Sequence, residues 1–136
     1  MEVPFSKLDI LDSDIQRVKE VILSGWLTHG SYTEKFEELF CKYTGAKYCT
    51  TVSNCTAGLH LSCLAAGFSD GDEVLIPAQT HTATAHAVEL TGAKAIFVDV
   101  DYDTANISVS DIKNKLSKNT KGIIPVHMAG FSCNMD

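Results

Sequence analysis

Tyr48-Cys49-Thr50-Thr51-Val52-Ser53-Asn54-Cys55-Thr56-Ala57-Gly58-Leu59-His60-Leu61 is the stretch whose reading decides the fold. A β-branched run reaches Val52, a polar hinge occupies Ser53-Asn54-Cys55, and an apolar helix begins near Thr56. A strand that turns sharply into a helix leaves the first N–H groups of that helix unpaired. The helix dipole adds partial positive charge at the same end. Together they stabilise a bound phosphate or carboxylate, and the small side chains at 53–57 let an anion approach the backbone. The competing reading is an ordinary helix start with Ser53 as its N-cap and no ligand.

Outward from the hinge the chain alternates. A strand over 48–52 leads to a helix over 56–66, closed by Gly67. The turn Ser69-Asp70-Gly71-Asp72 feeds a strand at 73–77, and a helix over 81–90 closes at Gly92. A strand at 95–100, a weaker helix at 110–116 and a last strand at 122–126 follow. The strands are continuous apolar runs, as expected where both faces of a sheet are covered. Strand, helix, strand at this pitch predicts right-handed crossovers and an α/β sandwich. Ligands of such sheets bind outside the carboxyl ends of the strands. Those ends carry Ser53-Asn54, Ala78-Gln79-Thr80-His81, Asp99 and His127.

Upstream, residues 1–11 show no period and read as an N-terminal arm. Asp12 or Ser13 is placed to cap a helix with an apolar face of Ile15, Val18 and Ile22, stopped by Gly25. The loop Trp26-Leu27-Thr28-His29-Gly30 carries the single tryptophan, as a plug over the core or part of a binding surface. Ser31 and Glu34 form a capping-box pattern. Phe36, Leu39, Phe40 and Tyr43 then recur at helical spacing up to Gly45.

With 136 residues, 45% hydrophobic and 21% charged, the chain has one globular domain's worth of core. A formal charge of −6 argues against nucleic acid or an anionic membrane surface as partner. The first residues carry no secretory pattern and no run approaches a membrane span, so a cytoplasmic location is expected. The five cysteines include no CxxC pair, which argues against a disulfide framework or structural zinc; most read as small buried hydrophobes.

Other constellations fail on their residues. No GxGxxG follows the first strand and no P-loop pattern occurs. Asp99, Asp101 and Asp103 resemble the start of a calcium loop, but its glycine position is Thr104 and its closing acid is Ser110. His81 and His86, five apart, do not share a helix face, so no metal site is assigned. His81 differs from His86 because it starts a helix over a strand end, where its ring could stack on a ligand. A nucleophilic Cys55 would need a histidine that spacing does not supply.

In its ordered set of motifs the chain resembles the N-terminal part of the DegT/DnrJ/EryC1/StrS family of pyridoxal-phosphate-dependent sugar aminotransferases. The matching segments are Gly25–Gly30, Phe36-Glu37, Tyr43-Thr44-Gly45, the hinge Ser53–Leu61 and Gly71-Asp72-Glu73-Val74. Thr80–Ala85, Thr91-Gly92-Ala93, Phe97–Asp101 and Pro125–Gly130 continue the set. The resemblance implies the three-layer sandwich of the fold type I large domain, N-terminal portion only, spanning 1–136 with the arm at its start. It implies pyridoxal phosphate as cofactor, a homodimer, a nucleotide-linked keto sugar as substrate and an amino acid such as glutamate as amino donor.

By the same resemblance Ser53, Asn54, Cys55, Thr56 and Ala57 hold the cofactor phosphate, chiefly through the backbone of Thr56 and Ala57 and the Thr56 hydroxyl. His81 falls where a ring stacks on the pyridoxal. Trp26, Thr28 and Gly30 belong to a region near the sugar nucleotide and the partner subunit; His127 and Asp99 lie at strand ends near the cleft. Cys55 replaces a common glycine and Ser31 a common proline. The family's Schiff-base lysine and the aspartate that pairs with the pyridine nitrogen fall beyond Asp136, so no catalytic residue is assigned within the chain. It is therefore expected to be inactive alone, as a fragment of the enzyme. The alternative is a non-catalytic module binding an anion or a nucleotide sugar, or a truncated pseudo-enzyme.

Overall fold

The computed structural model describes Pro4 and residues 6–136, which form two compact units, Met1–Thr51 and Val52–Asp136. Four residues of the expected arm, 1–3 and 5, lie outside the described residues, and 6–11 carry no regular structure.

The first unit contains α1 (Asp12–Ser24) and α2 (Ser31–Thr44), followed by residues without regular structure to Thr51. Neither Asp12 nor Ser13 caps α1. Leu11 is the N-cap, and its N–H donates to Asp14 Oδ2 at 3.0 Å. A carboxylate reaching back from the third helical position satisfies an orphan donor and complements the dipole. The Ser31–Glu34 capping box does not form either. Gly30 is the N-cap of α2, which leaves Ser31 inside the helix, and the Glu34 N–H donates to the Gly30 carbonyl at 3.1 Å. The stop at Gly45 stands: its φ of 77° is left-handed, and its N–H donates to the Cys41 carbonyl at 2.9 Å.

The apolar faces read from the sequence exist but are uncovered. Ile15, Val18 and Ile22 are about three-fifths exposed, and Phe36, Leu39, Phe40 and Tyr43 run from 46% to 90% exposed. The half-buried stripe of α2 is instead Thr33, Glu37 and Cys41. Polar bonds hold this unit together. Tyr32 Oη donates to Glu20 Oε2 at 2.9 Å, and Thr51 donates both its N–H and its hydroxyl to Glu37 Oε1 at 2.7 and 2.9 Å. These Thr51 donors, the backbone N–H first, hold the Glu37 carboxyl below its usual pKa.

Residues 48–52 alternate between exposed and half-buried as a strand would, but have no ladder partner among the described residues, so the expected strand is not formed as one. A strand exists only as part of a ladder, and this segment spends the Thr51 N–H on a side chain.

In the second unit α3 (Cys55–Ala65), β1 (Glu73–Pro77), α4 (Thr82–Glu89), β2 (Lys94–Val98), α5 (Val109–Lys115) and β3 (Thr120–Ile123) follow one another, with a 3-10 turn over Met128–Gly130. The sheet is parallel, in the order β2-β1-β3. The chain passes from β1 outward to β2, then back across β1 to β3. Right-handed crossovers in opposite directions put their helices on opposite faces.

The core shows this division. Val74 and Ile76 meet Cys63, Ala87, Val88 and Ala95 on one face, while Leu75 meets Val98, Ile107 and Cys133 on the other. β1 is thus buried on both sides, as its unbroken Val-Leu-Ile run requires. Helix, sheet and helix form three layers.

β2 ends at Val98, two residues before the expected end, because its partner strand stops at Pro77. Val100 instead makes an isolated antiparallel bridge to Ile107. β3 starts two residues earlier than expected and ends at Ile123, ahead of Pro125, which has no N–H for a ladder.

Side chains close the outer edge of β2. Ala95 N–H donates to Glu89 Oε1 at 2.8 Å, Lys115 Nζ donates to the Phe97 carbonyl at 2.7 Å, and Asp99 N–H donates to Asp111 Oδ2 at 2.7 Å. Edge strands protected in this way do not recruit further strands.

Gly122 in β3 lies under the Phe68 ring, and a Cβ there would stand 2.5 Å from Phe68 Cζ. Phe68 packs against the core on the Val74 face. Gly122→Ala is therefore expected to destabilise the fold by about 1–3 kcal/mol, the usual cost of overpacking. A urea unfolding midpoint equal to the parent's would contradict that packing.

Candidate functional site

The hinge places Asn54, not Ser53, at the N-cap of α3. Asn54 is extended, with φ −167° and ψ 169°, and its Oδ1 accepts the Ala57 N–H at 2.9 Å. The Gly58 N–H goes to the Asn54 carbonyl at 3.2 Å. Ser53 supports the cap from outside, its Oγ accepting from Asn54 Nδ2 at 3.3 Å.

Of the first four donors of the helix, two are thereby used. Those of Cys55 and Thr56 have no partner among the described residues. Both residues are exposed, and Thr56 adds a hydroxyl beside its own N–H. The arrangement presents two backbone donors, one side-chain donor and the positive end of a helix dipole to an incoming anion.

Topology sets what stands nearby. A seven-residue connection joins the end of α3 to the start of β1, and α4 begins shortly after β1 ends. The two helices pack side by side. Both therefore run antiparallel to the strand, and both N-termini lie at the carboxyl end of the sheet.

His81 is the N-cap of α4 and is exposed at that end. Its Nδ1 accepts the Ala83 N–H at 3.1 Å, which fixes the ring and leaves the proton of the neutral imidazole on Nε2. Behind it, Thr80 Oγ1 and the buried Thr84 Oγ1 share a hydrogen bond of 2.9 Å.

Asp99 and His127 serve local structure at the neighbouring strand ends. Asp99 Oδ1 accepts the Val100 N–H at 2.8 Å, while its own N–H and then the Lys115 ammonium hold the Asp111 carboxyl below its ordinary pKa. His127 Nδ1 accepts the Cys133 N–H at 3.0 Å, turning the C-terminal residues back on the sheet. The buried Asn106, which sequence reasoning did not single out, completes this turn: its Oδ1 accepts the Met128 N–H and its Nδ2 donates to the Phe131 carbonyl, each at 3.1 Å. A concavity of about 610 Å³ lies beside it, lined by Ile107, Ile112, Pro125 and Phe131 among others and by no hinge residue.

Trp26, Thr28 and Gly30 lie in the first unit, in the turn before α2. Trp26 is 64% exposed, so it is no core plug, and its Nε1 donates to the His29 carbonyl at 2.7 Å. The indole crosses Gly30 so closely that a Cβ there would lie 2.7 Å from Trp26 Cδ1. A side chain at position 30 would therefore force the indole to shift. The cysteines divide: Cys63 and Cys133 are buried, Cys41 and Cys49 half-buried, and Cys55 exposed. No cluster of candidate metal ligands occurs among the described residues.

Comparison with known proteins gives this geometry a family context. The model of the DegT/DnrJ/EryC1/StrS aminotransferase family matches residues 9–136. Uncharacterized protein MJ1066 of Methanocaldococcus jannaschii is 45% identical over 125 residues, covering 92% of this chain and 32% of that protein. The PLP form of Spr1654 from Streptococcus pneumoniae, assigned as a sugar aminotransferase, superposes with a TM-score of 0.90 at 33% identity, covering 98% of this chain and 34% of its own. GDP-4-keto-6-deoxy-D-mannose-3-dehydratase of E coli, with bound hydrated PLP, gives 0.86 at 28% identity, covering 95% and 35%. The chain thus spans about a third of the length of each of these relatives.

Proposed function

Because the chain belongs to the DegT/DnrJ/EryC1/StrS aminotransferase family, we propose that it is the cofactor-phosphate-binding part of a pyridoxal-phosphate-dependent sugar aminotransferase. Its α/β fold is that of the PLP-dependent sugar aminotransferase structures it matches. The observation that carries the assignment is the pair of open N–H groups at Cys55 and Thr56, beside the Thr56 hydroxyl and at the same end of the sheet as His81.

The donor set fits the phosphate of pyridoxal phosphate. Cys55 and Thr56 would hold it through their backbone N–H groups, the Thr56 hydroxyl would add a third bond, and Ser53 and Asn54 keep the turn in shape. Ala57 acts at one remove, because its N–H is committed to Asn54 Oδ1. The His81 ring, fixed by the Ala83 N–H, would stack on the pyridoxal ring of a bound cofactor. When bound, that cofactor supplies the electron sink for amino transfer. In this reading the acceptor is a nucleotide-linked keto sugar, the amino donor is glutamate and the enzyme is a homodimer. Trp26, Thr28 and Gly30 of the first unit are candidate substrate or interface residues, and so, separately, is His127 of the second. By resemblance to the family, no residue of this chain is assigned as the Schiff-base lysine or as the aspartate that pairs with the pyridine nitrogen.

Calorimetric titration of the chain with pyridoxal phosphate tests the hinge. Thr56→Val keeps the side-chain shape and removes one donor, so affinity is expected to fall by about 0.5–1.5 kcal/mol, roughly two- to tenfold. An unchanged affinity in Thr56→Val would place the ligand elsewhere.

A further inference from the structure

We infer that Cys41 and Cys49 form a dithiol that closes to an intramolecular disulfide when the protein meets a small-molecule disulfide oxidant. The placement follows from the hydrogen bonds of the first unit. Gly45 ends α2 in the left-handed conformation, and the chain then runs back along the helix, because Thr51 donates its N–H and hydroxyl to Glu37 Oε1. Cys41 lies one helical turn beyond Glu37 on the same face, and Cys49 lies two residues before Thr51 on the same half-buried side of a segment whose burial alternates as in a strand. One turn rises about 5.4 Å and two extended residues span about 6.6 Å, so the two steps match. Pairing Glu37 with Thr51 therefore sets Cys41 opposite Cys49.

Burial follows the same register. Thr33, Glu37 and Cys41 are the half-buried positions of α2, while Cys49 and Thr51 are half-buried between the exposed Tyr48, Thr50 and Val52. The Cys49 thiol is held above its ordinary pKa by burial first, with the neighbouring Cys41 and Glu37 adding to it, which agrees with two thiols facing one another.

Closure proceeds by thiol–disulfide exchange. One thiolate attacks the oxidant and releases a thiol, giving a mixed disulfide. The second cysteine then displaces the second thiol. Two S–H bonds and the oxidant's S–S bond break, and one protein S–S bond forms. The two electrons and two protons leave on the two thiols released. The product ties the segment 46–49 to the last turns of α2.

Incubation of the full chain with oxidised glutathione, acid quenching and mass spectrometry reads the result. After tryptic digestion, the expected product shows peptide 36–42 linked, with the loss of two hydrogens, to Cys49 of the peptide that begins at Tyr48, the linked position being read from fragment ions. The exposed Cys55 carries a glutathione adduct instead. Cys41→Ser and Cys49→Ser should each convert the linked product into a stable adduct on the remaining partner. Stable glutathione adducts on Cys41 or Cys49 of the parent chain, no reaction at either, or a linkage from either to another cysteine would each overturn the inference. Cys49, Cys55 and Cys63 share that peptide, so fragment ions of the parent chain's linked peptide decide which is joined to Cys41, and the test does not depend on either variant folding.

Discussion

Borohydride reduction of the chain mixed with pyridoxal phosphate is expected to label no lysine stoichiometrically, and amino transfer from glutamate to a keto sugar nucleotide is expected to be absent. A lysine that carries the cofactor must reach its aldehyde, and it needs a depressed pKa from burial or a neighbouring cation. Lys19, Lys35, Lys42, Lys113 and Lys115 lie on helices, and Lys7, Lys47 and Lys118 in turns or irregular segments. Lys94 opens β2 at its amino end, and Lys121 lies inside β3. None stands at the carboxyl end of a strand. Lys115, the most constrained, is committed to Asp111 Oδ2 at 2.9 Å and to the Phe97 carbonyl. A longer protein that supplies the family's lysine should show both labelling and transfer. A single labelled lysine within residues 1–136, together with turnover, would contradict the assignment of no Schiff-base lysine to this chain.

The second large effect concerns association. The two helices of the first unit contain no buried residue, and their apolar stripes face outward. Phe36 and Phe40 stack with ring centroids 5.9 Å apart, yet both stay about half exposed, and Ile15, Val18, Ile22 and Leu39 are more exposed still. Large apolar side chains left exposed in this number favour association. The 14.7 kDa chain is therefore expected to sediment above its monomer mass, increasingly so with concentration, or to precipitate. A sharp, concentration-independent monomer with cooperative melting would show that these faces are covered in solution.

Local signals made much of the architecture legible. Glycines at 25, 45 and 67 adopt positive φ at or just after helix ends, where the pattern predicts them. The run Val74-Leu75-Ile76 announced a strand buried on both faces, and the two core clusters bear it out. What depends on a distant partner was not legible. Residues 48–52 have strand composition, but a strand needs a neighbour, and Thr51 meets Glu37 instead. The stripe Phe36-Leu39-Phe40-Tyr43 fixes which face of α2 is apolar, not whether anything covers it.

The site was legible to a similar depth. A candidate hinge at Ser53–Ala57 was read from small polar residues at a helix start, and α3 does begin there. Its donors were not legible, because Ser and Asn are nearly equivalent caps and only the backbone decides between Ser53 and Asn54. Giving the cap to Asn54 consumes the Ala57 N–H and moves the free donors to Cys55 and Thr56. Asn106 and Glu37 were missed for one reason: a lone polar side chain carries no sequence signal of a partner fourteen or more residues away.

That shift of donors gives the most direct test of the central claim, the calorimetric affinity of pyridoxal phosphate for Cys55→Pro. Proline suits the first position of a helix, and the extended Asn54 before it already has the conformation that proline demands, so α3 should form as before. The substitution removes one donor to the phosphate and little else. Affinity is expected to fall by about 1.5–3 kcal/mol, tenfold or more, as for a hydrogen bond to a charged group. Helix content by circular dichroism should stay at the parent value. Undiminished affinity with the helix intact would contradict the claim that the start of α3 holds the cofactor phosphate.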